Sequence, residues 1–522
     1  MKKNQLFTIR VALTVALGGF LMGFDASVIS GVVKFIEPQF DLTKIQLGWS
    51  VSSLTLLATL SMMAAGPISD RIGRRTVLKW AAVLFAVSAV GSALAPNFTL
   101  LVIARMIGGI GVGSSLIIAP LFIAEISPPK MRGRLVSFNQ LNIVLGISVA
   151  FFTNYLILRL GSSEAAWVSK LGIGEHNWRW MLGLEALPAV LYFVALFFVP
   201  RSPRWLMLKG KTDEAMTVLV RANEEENARI EFENIKASIQ STTKKEKVPL
   251  RELFKPALKL VLVIGVGLAI LQQITGINSV FFYAPMIFEQ SGIGTDAAFS
   301  QAILVGLTNL VFTVVAIMFI DKLGRKPLLG IGLAGIAIFM FILAYGFNSA
   351  TYQLTADTIA QMPEQVDKEA LYSIQDQQFD SDVKFKRKLT EILEPSVMKE
   401  YESELIAGAI DSNPLLILIG ILGFVAAFAV SLGPVMWVLF SELFPNWIRG
   451  LAISFVGFIN SAVSFSVQLV FPWELSTLGT AGTFLIYGIF GAIGLIFVLM
   501  VVPETKGKSL EELEKILVKS KS

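Results

Sequence analysis

The sequence predicts an all-α, polytopic membrane protein with twelve transmembrane helices in two pseudo-symmetric bundles of six. Three observations predict it. Only 16% of the 522 residues are charged, 54% are hydrophobic and the mean hydropathy is +0.67. An ordinary soluble domain is about 25% charged, so this chain lacks the polar side chains to cover a soluble surface of its size. Twelve separate apolar stretches are each long enough to cross a bilayer, and a pair of motifs occurs twice in the same order.

A transmembrane helix needs about 20 mostly apolar residues. The stretches are 8–33, 46–68, 76–95, 99–123, 135–160, 178–199, 257–283, 299–320, 327–347, 413–441, 449–472 and 478–502, called spans 1–12 below. They are continuous apolar runs, not the alternating ten-residue pattern of a barrel. Span 1 reads as a retained helix and not as a cleaved leader. It is long, holds Asp25, and lacks a small-residue cleavage site followed by a soluble domain.

Orientation follows from Lys and Arg in the connections. One set carries Lys2, Lys3, Arg10, Arg71, Arg74, Arg75, Lys79, Lys130, Arg132, Arg134, Lys322, Arg325 and Lys326; the 3–4, 7–8 and 11–12 links on the other side carry none. The basic side, with both termini, is expected to be cytoplasmic. The net charge of +5 and pI of 9.1 then reflect basic turns and not a nucleic-acid partner. Two connections are too polar to span. Residues 201–256 read as short interfacial helices on the basic side. Residues 348–412 lie on the opposite side and hold thirteen acidic against six basic residues between Asp357 and Asp411, with 383–405 able to form helices. A solvated appendage is the expectation for this segment.

The repeat explains that segment. Asp70-Arg71-Ile72-Gly73-Arg74-Arg75 recurs 251 residues on as Asp321-Lys322-Leu323-Gly324-Arg325-Lys326, and Glu125…Arg132-Gly133 recurs 317 residues on as Glu442…Arg449-Gly450. The 66-residue difference matches the acidic connection, which is therefore an insertion on a duplicated six-span unit. Pro200 and Pro503 close spans 6 and 12. The expected division is a first bundle over 1–200, a linker over 201–256, and a second bundle over 257–522 carrying the insertion and a short tail. Asp70, Arg74, Arg75, Glu125, Arg132, Asp321, Arg325, Glu442 and Arg449 sit at helix ends on the basic side, where Arg and carboxylate form an inner gate network. Two such halves rocking about a midplane site is a common transporter design.

The motifs, taken in order, resemble the sugar porters of the major facilitator superfamily along nearly the whole chain outside the insertion. They are Gly23-Phe24-Asp25-Ala26-Ser27-Val28-Ile29-Ser30-Gly31, Arg105-Met106-Ile107-Gly108-Gly109-Ile110-Gly111-Val112-Gly113, Ser137-Phe138-Asn139-Gln140 and Pro200-Arg201-Ser202-Pro203-Arg204-Trp205-Leu206. Gln272-Gln273-Ile274-Thr275-Gly276-Ile277-Asn278, Phe282-Tyr283-Ala284-Pro285, Gly433-Pro434-Val435-Met436-Trp437-Val438 and Pro503-Glu504-Thr505-Lys506-Gly507 follow. The pattern is most similar to bacterial xylose/hexose–proton symporters. The resemblance implies the major facilitator fold, a sugar and a proton as the transported partners, no cofactor and no metal, residence in a bacterial inner membrane, and function as a monomer.

The chemistry of the residues agrees. A sugar site should be polar but uncharged, because carboxamides, like hydroxyls, both donate and accept hydrogen bonds. The resemblance implies sugar-binding positions at Gln140, Gln272, Gln273, Asn278 and Trp437, with Asn309 and Asn460 also matching. The competing reading is that such amides only join helices. On an unbroken helix Gln272 and Asn278 would point roughly 120° apart, so a break at Gly276 is expected; Pro285 and Gly433-Pro434 predict further breaks. Closely spaced glycines in span 4 predict close helix packing.

Asp25 and Arg105 are expected to couple the proton. A charge at the centre of a membrane helix costs at least about 2.5–3.5 kcal/mol and is usually functional, and the resemblance pairs these two positions. Glu185 is a candidate to join them. Trp49, Trp178 and Trp180 read as interfacial anchors, and His176 as an exposed loop residue. Ser461 and Phe282 stand where the family often has Trp and Tyr, so sugar identity does not transfer. The leading expectation is a monosaccharide–proton symporter working by alternating access; a proton-independent facilitator is the alternative, and a non-transporting sensor a third. An enzyme is not expected: there is no Cys, a single His, and no nucleophile–base constellation.

Overall fold

A computed structural model describes residues 3–243, 249–445, 447–508 and 512–514. Lys2 of the basic set and the end of the tail, 515–522, lie outside the described residues, as do the side chains of Lys3 and Lys130.

Eleven helices among the described residues are long and apolar enough to cross a membrane. Spans 1–5 are Asn4–Gly31, Lys44–Ile72, Arg74–Ala93, Phe98–Ile126 and Met131–Gly161. Spans 7–12 are Pro256–Glu289, Thr295–Leu323, Arg325–Asn348, Pro414–Leu443, Arg449–Thr477 and Gly479–Val501. Span 6 completes the twelve but is interrupted at Leu184–Glu185, between Asn177–Gly183 and Ala186–Ala195. The cause is Pro188. It has no N–H to give the Leu184 carbonyl and its ring crowds that carbonyl, so Leu187 N–H tightens onto Leu184 O instead.

The breaks expected in spans 7 and 10 are present. Span 7 stops at Ile274 and restarts at Ile277, with Gly276 at φ +88°. It leaves helical geometry again at Tyr283 (φ −126°, ψ 17°), two residues before Pro285. Span 10 breaks at Ser431 (φ −122°, ψ −95°), two residues ahead of the Gly433-Pro434 pair. In span 4, a Cβ on Gly109 would lie 2.3 Å from Leu54 O, and one on Gly113 2.1 Å from Ala58 O. Span 2 backbone therefore fills the groove that the missing side chains leave.

The chain forms two compact units. The first comprises residues 1–27, 53–150 and 179–249; the second comprises 28–52, 151–178 and 250–522. This differs from a division at 200 and 257. Residues 201–249 pack into the first unit through Leu206, Ala215, Val218 and Ala222, which join the core around Phe85, Phe122 and Tyr192. Thr8 of span 1 donates to Ala222 O at 3.2 Å, and Asn4 to Asn223 O at 2.5 Å. Residues 28–52 and 151–178 belong to the second unit, where Asn154 donates to Val28 O at 3.0 Å and Gly48 lies against Leu469 O.

The insertion is a folded body and not a loose appendage. Strands Thr351–Tyr352 and Ile410–Asp411 pair antiparallel and close its neck. Helices Ala356–Gln361, Lys368–Tyr372, Asp382–Ile392 and Pro395–Ala409 enclose a core that includes Ile359, Leu371, Phe385, Leu389, Leu405 and Ile406. Its charges anchor it to the second unit. Asp382 accepts from Thr480 N and Oγ1, both at 3.0 Å. Glu402 pairs with Lys386 at 3.0 Å and with Lys44 at 3.3 Å, and Lys44 reaches Glu37 at 2.6 Å. Lys34 pairs with Glu289 at 2.8 Å, and Ser403 donates to that same Glu289 at 2.8 Å. Trp178, expected at an interface, is buried and donates to Gln39 Oε1 at 2.6 Å. His176 is exposed as expected; Trp180 is also exposed, and Trp49 is half-buried, edge-on to Phe465.

Candidate functional site

Gly276 assembles the amide site. Its positive φ turns the chain so that both sides of the break converge on Gln273. Gln273 Nε2 donates to Gln272 Oε1 at 3.2 Å and to Asn460 Oδ1 at 3.1 Å. Asn278, beyond the break, donates to Gln273 Oε1 at 2.8 Å. Asn460 donates to Gln272 Oε1 at 2.8 Å and to Ala269 O at 2.9 Å. Gln272 donates to Leu432 O at 2.9 Å, the first residue after the break in span 10. Four of the expected amides thus form one hydrogen-bonded set free of charge, with Gln272, Gln273 and Asn460 buried and Asn278 half-buried. Networks of this kind fix each member's orientation, because an unpaired buried amide is costly.

The other expected binding residues are not members of this hydrogen-bonded set. Asn309 is buried on span 8 and makes no hydrogen bond to the set among the described residues. Trp437 is 42% exposed, edge-on to Phe440 at 5.7 Å. Gln140 is exposed on span 5 in the first unit, while the preceding Asn139 is buried against Gly19. Phe282 is buried and Ser461 half-buried. Ser464 was not singled out from sequence, yet it accepts from Asn278 at 2.7 Å and from Gln468 at 2.8 Å. Its position four residues after Asn460, on the same helix face, was the available signal.

In the first unit, Asp25 and Arg105 meet within spans 1 and 4. Arg105 Nη1 lies 3.7 Å from Asp25 Oδ1, and each side chain is 2% exposed. Asp25 Oδ2 has no hydrogen-bond partner among the described residues. Glu185, at the interruption of span 6, is 2% exposed and within electrostatic reach of both. The three ionisable groups therefore share one buried neighbourhood. Arg179 donates to the Ala93 and Ala95 carbonyls, both at 2.8 Å.

On the basic side each unit carries a carboxylate–guanidinium cluster, built alike. In the first, Arg74 pairs with Asp70 at 2.6 Å and with Glu125 at 3.0 Å, and donates to Ser69 O at 3.2 Å. In the second, Arg325 pairs with Asp321 at 3.1 Å and with Glu442 at 2.8 Å, and donates to Ile320 O at 3.2 Å. Each glutamate also accepts a hydroxyl: Glu125 from Ser202, and Glu442 from Thr505 at 2.6 Å. Both hydroxyls lie two residues after Pro200 and Pro503, a repeat the sequence carries but whose use was not read from it. Arg75 donates to Val199 O at 2.8 Å, and Arg449 to Phe444 O at 3.0 Å. Arg132 pairs with Glu231 of the linker helix at 2.8 Å. Among the described residues, none of these three arginines pairs with a carboxylate of the two clusters, although Arg132 lines the same cavity as Asp70, Arg74 and Glu125. Glu504 accepts the Arg325 and Lys326 N–H groups at 3.2 and 3.0 Å. Burial pushes its carboxyl up, but these bonds and the Lys506 N–H hold it below the ordinary glutamate value.

The chain is similar to known proteins over nearly its whole length. The Sugar (and other) transporter family model matches residues 11–361 and 398–517, leaving out the middle of the insertion. The arabinose-proton symporter of Bacillus subtilis is 35% identical over 98% of this chain and 96% of its own length. The D-xylose-proton symporter of Escherichia coli is 36% identical over 98% of this chain and 96% of its own. The inward-open structure of the xylose transporter XylE from E. coli superimposes with a TM-score of 0.73 at 34% identity, covering 98% of this chain and 100% of that one. With its twelve crossings, its duplicated basic-side clusters and a match over nearly its whole length, the chain belongs to the sugar porters of the major facilitator superfamily.

Proposed function

We propose that the protein is a monosaccharide–proton symporter of a bacterial inner membrane, with both termini cytoplasmic, working as a monomer by alternating access. The observation that carries the coupling is Asp25: a carboxylate inside a membrane span, 3.7 Å from its one guanidinium, with an oxygen left without a partner. Such a group takes up and releases a proton as Arg105 shifts, whereas a fixed structural pair would satisfy both oxygens. The amide set at the break in span 7 is the sugar's site: Gln272, Gln273, Asn278 and Asn460, together with Gln140, Asn309 and Trp437. Uncharged donors and acceptors match sugar hydroxyls, and an exposed indole suits the CH face of a pyranose. The Asp70–Arg74–Glu125 and Asp321–Arg325–Glu442 clusters, with Arg75, Arg132 and Arg449, serve the inner gate. The bundles are assigned to 1–200 and 257–522, joined by the 201–256 linker. The sugars named in these relatives, arabinose and xylose, put pentoses first among the sugars to be tested. Uptake into proteoliposomes tests the reading with D-xylose, L-arabinose, D-glucose and inositol, each with and without an imposed proton gradient. One of these sugars should accumulate only with the gradient. Accumulation that survives collapse of both pH and electrical gradients refutes symport.

A further inference from the structure

Span 7 departs from helical geometry at two points, Gly276 and Tyr283, and the six residues between them carry Asn278. One face of this short segment joins the amide set. The other face rests on Tyr487 of span 12, which is 3% exposed. The Tyr487 ring occupies the space that a Cβ on Gly276 would take, 2.3 and 2.4 Å from Cδ2 and Cε2. Its hydroxyl lies 3.4 Å from Ser279 Oγ. The ring also stacks on Phe471, with centroids 6.4 Å apart and planes at 18°. Phe471 in turn lies 5.0 Å from the ring of Tyr283, the second irregular point. One phenol therefore touches the first break directly and the second through a single aromatic neighbour.

What orients that phenol is Glu474, near the end of span 11. Tyr487 OH donates to Glu474 Oε2 at 2.8 Å. No cation pairs with Glu474 among the described residues, and no other function of the site uses it. An ionisable group in a membrane helix is expensive and by default has a task. A carboxylate acceptor makes the phenol bond about twice as strong as a neutral one. Span 11 also supplies Asn460, Ser464 and Gln468, whose carbonyl accepts Tyr283 OH at 3.1 Å. The same helix thus holds the segment from its amide face and, through Glu474, from its aromatic face.

We propose that Tyr487 and Glu474 are positioning residues for the sugar site, holding segment 277–283 so that Asn278 meets Gln273 and Ser464. The proposal rests on the transport reading for its functional consequence, and its structural part is tested independently of any sugar. The full-length protein in lipid nanodiscs is compared with Tyr487→Phe, Glu474→Ala and Glu474→Gln by amide hydrogen exchange and by calorimetric binding of D-xylose, L-arabinose and D-glucose. Tyr487→Phe and Glu474→Ala should speed exchange in 277–283 while leaving spans 1–6 unchanged. They should also weaken sugar binding by about tenfold or more, the loss of one hydrogen bond to a charged group in the assembled site. In transport assays KM should rise with kcat retained. Glu474→Gln keeps an oxygen that accepts the phenol proton but loses the charge, and should fall between wild type and Glu474→Ala in both readouts. Wild-type exchange in Tyr487→Phe overturns the proposal, as does faster exchange with unchanged affinity, or Glu474→Gln as damaging as Glu474→Ala. If the wild-type protein binds none of the three sugars, the transport reading fails, and the exchange comparison still decides whether Tyr487 holds the segment.

Discussion

Arg105 stands 3.7 Å from Asp25 with both side chains shut away from solvent, yet the two do not hydrogen-bond through that contact, and Asp25 Oδ2 is left without a donor. A structural ion pair would close that gap, since an unmet buried charge is costly. The arrangement suits a carboxylate that changes protonation state. Asp25→Asn removes the ionisable oxygen at nearly constant shape. It should abolish accumulation of sugar against its gradient in proteoliposomes while leaving equilibrium exchange within a few-fold of wild type. Accumulation that persists in Asp25→Asn would take the coupling away from this residue.

The two basic-side clusters are alike in geometry but not in burial, and burial sets the cost of breaking them. Arg74 and Glu125 are 4% and 6% exposed, against 12% and 20% for Arg325 and Glu442. Removing one partner of a buried pair costs about 3–5 kcal/mol, because the survivor is left uncompensated; the more exposed pair is relieved by water. Glu125→Ala should therefore lower thermal stability in detergent more than Glu442→Ala does. Equal or reversed losses would mean that the pairs do not differ as their exposure implies.

Most of the fold was legible because a bilayer demands long apolar helices and basic turns, and both leave plain marks in sequence. The paired Asp-x-x-Gly-Arg motifs and the break at Gly276 were legible for the same reason: a repeat and a glycine are local signals. What the sequence hid was placement by partners distant along the chain. Glu474 and Tyr487 are thirteen residues apart, and neither is exceptional until the ring is seen against Gly276. Trp178 looked like an interfacial anchor because nothing nearby revealed that Gln39 would accept its N–H. The insertion looked like a solvated appendage because its thirteen acidic residues mask a period of buried apolar ones, Phe385, Leu389 and Leu405 among them.

Gln273 is the hub of the amide set, bonded to Gln272, Asn278 and Asn460 at once, so the sugar's affinity should depend on it more than on any one neighbour. Gln272→Ala removes one direct donor and should weaken binding by about tenfold, near the 1.4 kcal/mol that a tenfold change represents. Gln273→Ala should cost more than Gln272→Ala, because it releases all three other amides, Asn278 among them, whereas Gln272→Ala releases two amides and the Leu432 carbonyl. Calorimetry with D-xylose and L-arabinose measures both. An unchanged affinity in Gln272→Ala would remove it from the binding site.

Glu402 fixes the insertion to the helix ends, and its chemistry sets how that attachment answers to pH. Desolvation pushes its carboxyl up, but Lys386 and Lys44 outweigh it and hold the group well below the ordinary glutamate range. A depressed folded-state value means the stabilisation is fully present above the unfolded pKa of about 4.3. It is lost only as pH falls through the depressed value. Glu37, which shares Lys44, works the other way. Burial raises its carboxyl, so its contribution weakens as pH rises through that raised value. Glu402→Gln leaves Lys386 and Lys44 facing a neutral amide, a loss of about 1.5–3 kcal/mol if the charge-assisted bonds are typical. Limited proteolysis and hydrogen exchange of residues 348–412 read the attachment directly. Wild type should keep its protection down through pH 5 and lose it only in stronger acid, whereas Glu402→Gln should be less protected at pH 7 and show no further acid loss from this position. A Glu402→Gln protein protected like wild type across that range would mean that Asp382, with its two Thr480 bonds, holds the insertion without the lysine–glutamate cluster.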